Sequence, residues 1–392
     1  MDIQAFRSLL IPSGQEALQT AQDLHPREEQ FLKHFSVLSR RYPVDLARSA
    51  LDIAILRDRA VQKFPFANRM YFTREALEQA SSFEISTYRA ERFRDYRLLV
   101  DLGCSVGGDT LAFASLAPTI GVDLDPLRLV MSQANVQALG LGEKASFLRA
   151  DLNNPVPLGS HPSLGLFFDP ARRAGQKRIF SVKDYQPPLE IIKDWLAIYP
   201  ALGVKISPGV DISELRNYDA EVEFISLRGE LKEAVLWFGP MKTSGRRATV
   251  LPGPHTLWSV KTDETRQHPT SEPRAYLYEP DPAVLRAGLV MLLSGQLDAI
   301  QLDPSIAYLT SDHRMETPFA RSWQVENWFP FNLKRLRNYL RERNVGQVVV
   351  KKRGSPLQPE ELIHALRLKG ENEKVVVLTQ LRGRPIAIIC TL

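Results

Sequence analysis

Residues 98–126 read LLVDLGCSVGGDTLAFASLAPTIGVDLDP, and this stretch decides the fold. Leu98, Leu99 and Val100 form the short apolar run that a buried parallel strand needs. Gly103, Gly107 and Gly108 follow at once; glycine tolerates positive φ and lets backbone pass close to a ligand. Leu111, Phe113 and Ala114 then recur at helical spacing. Ile120 to Val122 starts a second strand ending on Asp123. A carboxylate about 20 residues beyond a glycine turn is where a βαβ unit holds a ribose diol.

The turn departs from G-x-G-x-x-G, because Ser105 takes the place of the second glycine. Nor does it carry the Gly-Lys-Ser/Thr of a phosphate loop. VDLGCSVGGDTLAFA resembles motif I of class I S-adenosylmethionine-dependent methyltransferases, and is especially similar to that of the cap-type guanosine-N2 enzymes.

The surrounding chain has 392 residues, 44% hydrophobic and 24% charged, a composition of folded domains and a length that suggests two or three of them. Its two cysteines, Cys104 and Cys390, are too few for a disulfide framework or a zinc site. No apolar run reaches membrane-span length and the N-terminus has no signal-peptide core, so a cytoplasmic protein with no membrane partner is expected. The net charge of +5 is unevenly placed. Residues 331–392 hold 13 Lys and Arg against 5 Glu, a net of +8 that leaves the rest at −3. Such asymmetry fits a polyanion-binding C-terminus, or simply a solvated basic surface.

Residues 1–95 read as a helical domain. Leu46, Ile53, Leu56 and Val61 keep helical spacing, with Asp45 as N-cap after Pro43. Thr73 caps one further helix through REALEQASSFEISTYRAERF. Tyr71, Phe72 and Thr73 either line a cofactor mouth or pack on the next domain. Residues 96–253 alternate strands and helices: strands at 98–100, 119–122, 145–148, 164–170, 202–210 and a pair within 221–239. Asp125-Pro126 reads as an N-cap with proline in the first turn, leaving Asp123 as the ribose ligand. The expected fold is α/β, a doubly wound Rossmann-like sheet.

Residues 254–273 are polar, contain Pro, and read as a linker. From 274 to 392 come a helix opened by Asp281-Pro282, strand-like YLTSD, the basic helix FNLKRLRNYLRERN, strand 348–350, another helix and a closing hairpin. This α-β-α-β-β order resembles the α+β THUMP-like domain that accompanies a bacterial family of class I methyltransferases. EQASSFEISTYRA and DPARR extend the likeness over most of the chain. THUMP domains bind RNA, so the resemblance implies an RNA methyltransferase acting on a ribosomal or transfer RNA.

The resemblance also implies a site. Backbone at Gly103, Ser105 and Gly107, with Asp101 beside it, takes the methionine end of S-adenosylmethionine. Asp123 accepts from the ribose, Asp151 from the adenine amine, and the Leu152 amide donates to the ring. Singly, each Asp reads equally as a cap or turn residue. FFDPARR (167–173) stands where amino-methylating enzymes place Asp/Asn/Ser-Pro-Pro-aromatic. Asp169 and Pro170 match and are the catalytic candidates; Ala171 and Arg172 depart. Asp169 as a plain helix N-cap is the bland alternative. Arg172 and Arg173, extended by Lys177 and Arg178, form a positive rim for substrate, and Lys351, Lys352 and Arg353 a phosphate contact. The acceptor atom is then an exocyclic nitrogen, guanine N2 or adenine N6. The rivals are methylation of a small molecule or protein, and an RNA-binding assembly factor that has lost catalysis. The seven histidines show no metal-ligand spacing. Oligomeric state is not legible.

Overall fold

A computed structural model describes residues 1–155, 158–171, 173–174, 177–178, 181–259 and 269–391. The chain divides into two compact units, Met1–Glu221 with Glu233–Thr243, and Val222–Lys232 with Ser244–Leu392. This division differs from boundaries at 95, 253 and 273.

The first unit opens with six helices: α1 (Ile3–Leu10), α2 (Pro12–Asp23), α3 (Phe31–Leu38), α4 (Val44–Ala60), α5 (Arg74–Gln79) and α6 (Phe83–Ala90). Pro43, not Asp45, occupies the N-cap of α4; Asp45 sits in the first turn, where its charge still suits the helix dipole. Thr73 does cap α5, its hydroxyl accepting from Ala76 N at 3.1 Å. The expected single helix breaks at Ala80. Lys63 Nζ donates to the carbonyls of Leu77, Glu78 and Ala80 at 2.7, 3.0 and 2.7 Å, closing α5 in place of a further turn.

Next come β1 (Leu98–Leu102), α7 (Gly108–Ala114), β2 (Thr119–Asp123), α8 (Pro126–Ala138), β3 (Ala145–Arg149) and β4 (Leu164–Phe168). Two-residue strands β5 (Arg173–Ala174) and β6 (Lys177–Arg178) pair with each other. Then follow α9 (Ile192–Leu196), β7 (Leu202–Ile206), β8 (Glu221–Leu227) and β9 (Glu230–Trp237), the end of which belongs to this unit. The sheet here runs β9-β7-β4-β1-β2-β3. Its strands are parallel except β9, which pairs antiparallel with β7. The strand order reverses between β1 and β4, a topological switch point. The N-terminal helices share one core with this sheet: Phe6, Leu18 and Leu51 lie in the same apolar cluster as Val106, Leu111 and Met131.

In the second unit, β10 (Arg246–Leu251) runs parallel to β8, and β11 (His255–Ser259) antiparallel to β10. His255–Ser259 is therefore a strand and not part of a linker. β12 (Tyr276–Pro280) leads to α10 (Pro282–Ala287), capped by Asp281 accepting from Ala283 N at 2.8 Å. Gly288 at φ 69° ends it, so the expected helix becomes two, with α11 (Val290–Gln296) second. β13 (Ile300–Asp303), β14 (Ile306–Ser311), β15 (Ala320–Pro330), α12 (Leu333–Glu342), β16 (Val345–Lys352), α13 (Pro359–Leu366), β17 (Asn372–Leu381) and β18 (Arg384–Cys390) complete the chain. The sheet order is β13-β14-β12-β15-β18-β17-β16. Val376, Leu378 and Ile389 pack on α12 and α13, while Val375, Val377 and Ile388 pack on Leu277 and Tyr308. The period-2 alternation of these strands thus feeds two cores. β15 has no counterpart in the sequence reading, and its Trp323, Trp328 and Phe329 pack into those cores.

Candidate active site

The turn after β1 is built from left-handed residues: Gly103 at φ 80°, Ser105 at 52° and Gly107 at 83°. A Cβ on Gly103 would lie 2.6 Å from the Asp169 carbonyl oxygen, and one on Gly107 2.5 Å from Ser132 Oγ. Both positions therefore demand glycine for conformation and for space. Asn135 of α8 ties this turn down. Its side chain accepts from Tyr71 N at 2.7 Å and donates to the carbonyls of Tyr71 and Val106 at 3.0 and 2.8 Å. Tyr71 and Phe72 are buried, so their place is core packing.

Asp123, at the end of β2, accepts from Ser105 N at 2.8 Å through one oxygen and from Asp125 N at 2.9 Å through the other. The carboxylate is fixed beside the glycine turn. Asp125 caps α8, accepting from the amides of Leu127 and Arg128 at 2.8 and 3.3 Å. Asp151 accepts from Asn153 N and Nδ2 at 2.9 and 2.8 Å, and these bonds hold its carboxyl below the usual range. Leu152 beside it is buried.

Asp101 is buried, with Oδ2 accepting from Thr110 Oγ1 at 2.6 Å. Burial pushes its carboxyl well above the ordinary range, and the charges of Asp109 and Asp169 push the same way. Among the described residues, its Oδ1 and the buried Ser105 Oγ have no hydrogen-bond partner.

β1 and β4 are neighbours, so their ends meet. Asp169 N donates to Leu102 O at 3.0 Å, which sets the DPARR stretch against the glycine turn at the switch point. Asp169 is not a helix cap: the backbone after Pro170 makes a bridge from Ala171 to Gln186. Its Oδ2 takes Lys205 Nζ at 2.7 Å, and Lys205 on β7 is only 2% exposed. Beneath lies the fully buried Arg89, ion-paired to Asp109 and to Glu233 (3.1 Å) and stacked 4.5 Å from the Phe167 ring centroid. Burial alone would raise the Asp109 carboxyl, but Arg89 and Lys205 outweigh it and hold it low. Lys205, Arg89, Asp109 and Asn135 had escaped the sequence reading. Their one sequence trace is a lysine inside the otherwise apolar LGVKI and a carboxylate in GGDT.

Arg172 lies outside the described residues, and of Arg173, Lys177 and Arg178 only the strand placement is described. Lys351, Lys352 and Arg353 do not form one patch. Lys351 Nζ and the Arg353 guanidinium approach Glu279 at 3.2 and 3.8 Å, whereas Lys352 donates to Gln358 Oε1 at 2.6 Å. Ser207-Pro208-Gly209 is a turn closed by Val210 N on Ser207 O at 3.1 Å.

A parallel sheet with this strand order, a glycine turn after β1, an acid ending β2 and an Asp-Pro after β4 defines a class I methyltransferase. The chain belongs to a family of S-adenosylmethionine-dependent methyltransferases: it is 34% identical over 348 residues to an uncharacterized member from Mycobacterium tuberculosis H37Rv, covering 86% of this chain and 94% of that one. It is thus an S-adenosylmethionine-dependent methyltransferase with a C-terminal domain matching the THUMP domain-like family over residues 320–392. Residues 2–60 match a domain of unknown function. Trimethylguanosine synthase of Schizosaccharomyces pombe is 23% identical over 130 residues, 31% of this chain and 54% of that protein. The crystal structure of a candidate methyltransferase from Porphyromonas gingivalis W83 shares the fold, with a TM-score of 0.76 at 21% identity over 96% of this chain and 98% of that one. No helix among the described residues is long and apolar enough to cross a membrane.

Proposed function

We propose that the protein methylates an exocyclic nitrogen of an RNA base, guanine N2 or adenine N6, and that its C-terminal domain holds the RNA. The reading rests chiefly on one observation: Asp169 lies against the glycine turn, bonded to Leu102 O at 3.0 Å. The glycine turn fits S-adenosylmethionine. It offers the orphaned Asp101 Oδ1 and Ser105 Oγ, a glycine whose Cβ would strike Asp169, and the fixed Asp123. In this proposal Gly103, Ser105, Gly107 and Asp101 take the methionine end, Asp123 the ribose, and Asp151 with Leu152 the adenine. The cofactor, when bound, supplies an electrophilic methyl.

The remaining chemistry belongs to the chain. A base amine has its lone pair drawn into the ring. Asp169 and the Pro170 carbonyl each accept one of its N–H groups, which turns the lone pair toward the methyl; positioning and electrostatics carry the rate. A stacked base cannot reach such a site, so the acceptor is flipped or single-stranded. Arg172 and Arg173 in this reading hold the substrate beside Asp169. The named activity of trimethylguanosine synthase favours a guanosine acceptor, and the THUMP-like match favours RNA. The test is tritiated methyl transfer to total RNA from a deletion strain. Label enters RNA with the parent and is lost at least about 100-fold with Asp169→Ala; label in protein or metabolites alone would refute the RNA reading.

A further inference from the structure

Asp169 works within a buried charge cluster drawn from six elements or their ends. Asp101 on β1, Asp109 in the first turn of α7, Asp169 after β4 and Glu233 on β9 bring four carboxyl groups together. Against them stand two cations, Arg89 on α6 and Lys205 on β7. Arg89 is committed to Asp109 and Glu233. Lys205 is the cation in direct contact with Asp169, and its charge also reaches Asp109. Tyr185, the further titratable group at this end of β7, accepts from Ser207 N at 2.9 Å through its hydroxyl oxygen. Asp169 Oδ2 is taken by Lys205 Nζ at 2.7 Å.

A lysine buried on an inner strand of a sheet is a costly choice. Desolvating an ion pair commonly offsets its Coulomb gain, so stability alone gives little reason to keep one. The residue it touches is the one that faces the glycine turn. We infer that Lys205 is a positioning residue for methyl transfer: its ion pair with Oδ2 fixes the Asp169 side chain and leaves Oδ1 for the substrate amine. The inference rests on Asp169 being the amine acceptor. An Asp169 side chain free to rotate presents no fixed acceptor to the substrate N–H, and the amine loses its alignment. The carboxylate also selects the substrate, since an anionic nucleophile is repelled by Asp169 and a neutral amine is not.

Lys205→Gln keeps a donor group but shortens the side chain and removes the charge. The full-length variant is expected to bind S-adenosylmethionine within about threefold of the parent by titration calorimetry. Methyl transfer to RNA falls about 100-fold in kcat with the KM for RNA little changed, because the shorter neutral amide no longer fixes Oδ2. Lys205→Arg, which keeps the ion pair, restores most of the rate. Asp169→Ala stays inactive in the same assay. A Lys205→Gln enzyme with the parent's rate, a loss confined to KM, or no rescue by Lys205→Arg overturns the inference. If Lys205→Gln does not fold, Asp169→Asn with Lys205→Gln removes both charges. Its folding supports Lys205 as the counter-charge of Asp169, and its failure marks a structural lysine and overturns the inference. No label from the parent sinks the RNA reading instead and takes this inference with it.

Discussion

Asp101 has nowhere to put a charge. Its side chain is buried, one oxygen accepts from Thr110, and the other has no partner among the described residues. The folded state therefore keeps the proton to higher pH than the unfolded chain does. A group whose pKa is raised on folding contributes stability below its unfolded pKa, about 3.9, and loses it as pH rises through the folded value. Asp101→Asn keeps the shape and never ionises. Its melting temperature without cofactor is expected to gain on the parent's as pH climbs from about 4 toward neutrality. A gap that stays constant with pH would show that Asp101 is not the buried acid. This residue also marks how far sequence reaches at the site. Asp101, Asp123 and Asp169 were legible because each sits at a strand end, a position that chain order reveals. Lys205 and Arg89 were not, because they join the site only through tertiary packing: β7 beside β4, and α6 against α7. A lysine in an apolar run reads as an exception to burial until its carboxylate partner is known.

Helix ends were read well where the cap is local. Thr73, Asp125 and Asp281 bond amides two or three residues on, a distance that sequence displays directly. They were missed where the cap comes from elsewhere. Lys63 ends α5 from more than ten residues upstream. β15 was missed because its pairing shifts register between Val325 and Asn327, which breaks the alternation a strand is recognised by. Asn135 shows the same long reach with a functional end. From α8 it makes three bonds, holding both the Tyr71 backbone and the glycine turn at Val106. Asn135→Ala leaves buried backbone groups unpaired and is expected to cost about 3 kcal/mol in urea unfolding, with weaker S-adenosylmethionine binding alongside. A loss below about 1 kcal/mol would show that the turn stands without this clamp.

At the scale of the whole molecule, the +8 of residues 331–392 is less available than the count suggests. Arg337 and Arg341 donate to carbonyls at the C-terminal end of α13, at 2.7 Å to Ala365 and 3.0 Å to Arg367. Arg335 and Arg343 lie over the rings of Phe329 and Tyr339. Lys351 and Arg353 face Glu279, and Lys374 pairs with Glu326. Much of the basic composition thus builds the domain, and a smaller set, Lys334 and Lys369 among them, stands exposed. RNA binding by this domain should then be salt-dependent with a shallow slope, set by the exposed cations and not by net charge. Each lost phosphate contact removes nearly one unit from the slope of log affinity against log salt. Lys334→Glu with Lys369→Glu is expected to flatten that slope by about 1 to 2 units in filter binding to structured RNA. S-adenosylmethionine binding should not change, since neither residue belongs to the first unit. An unchanged slope would place the RNA contact on another face of the domain; a lost cofactor affinity would mean that the substitutions had damaged the fold.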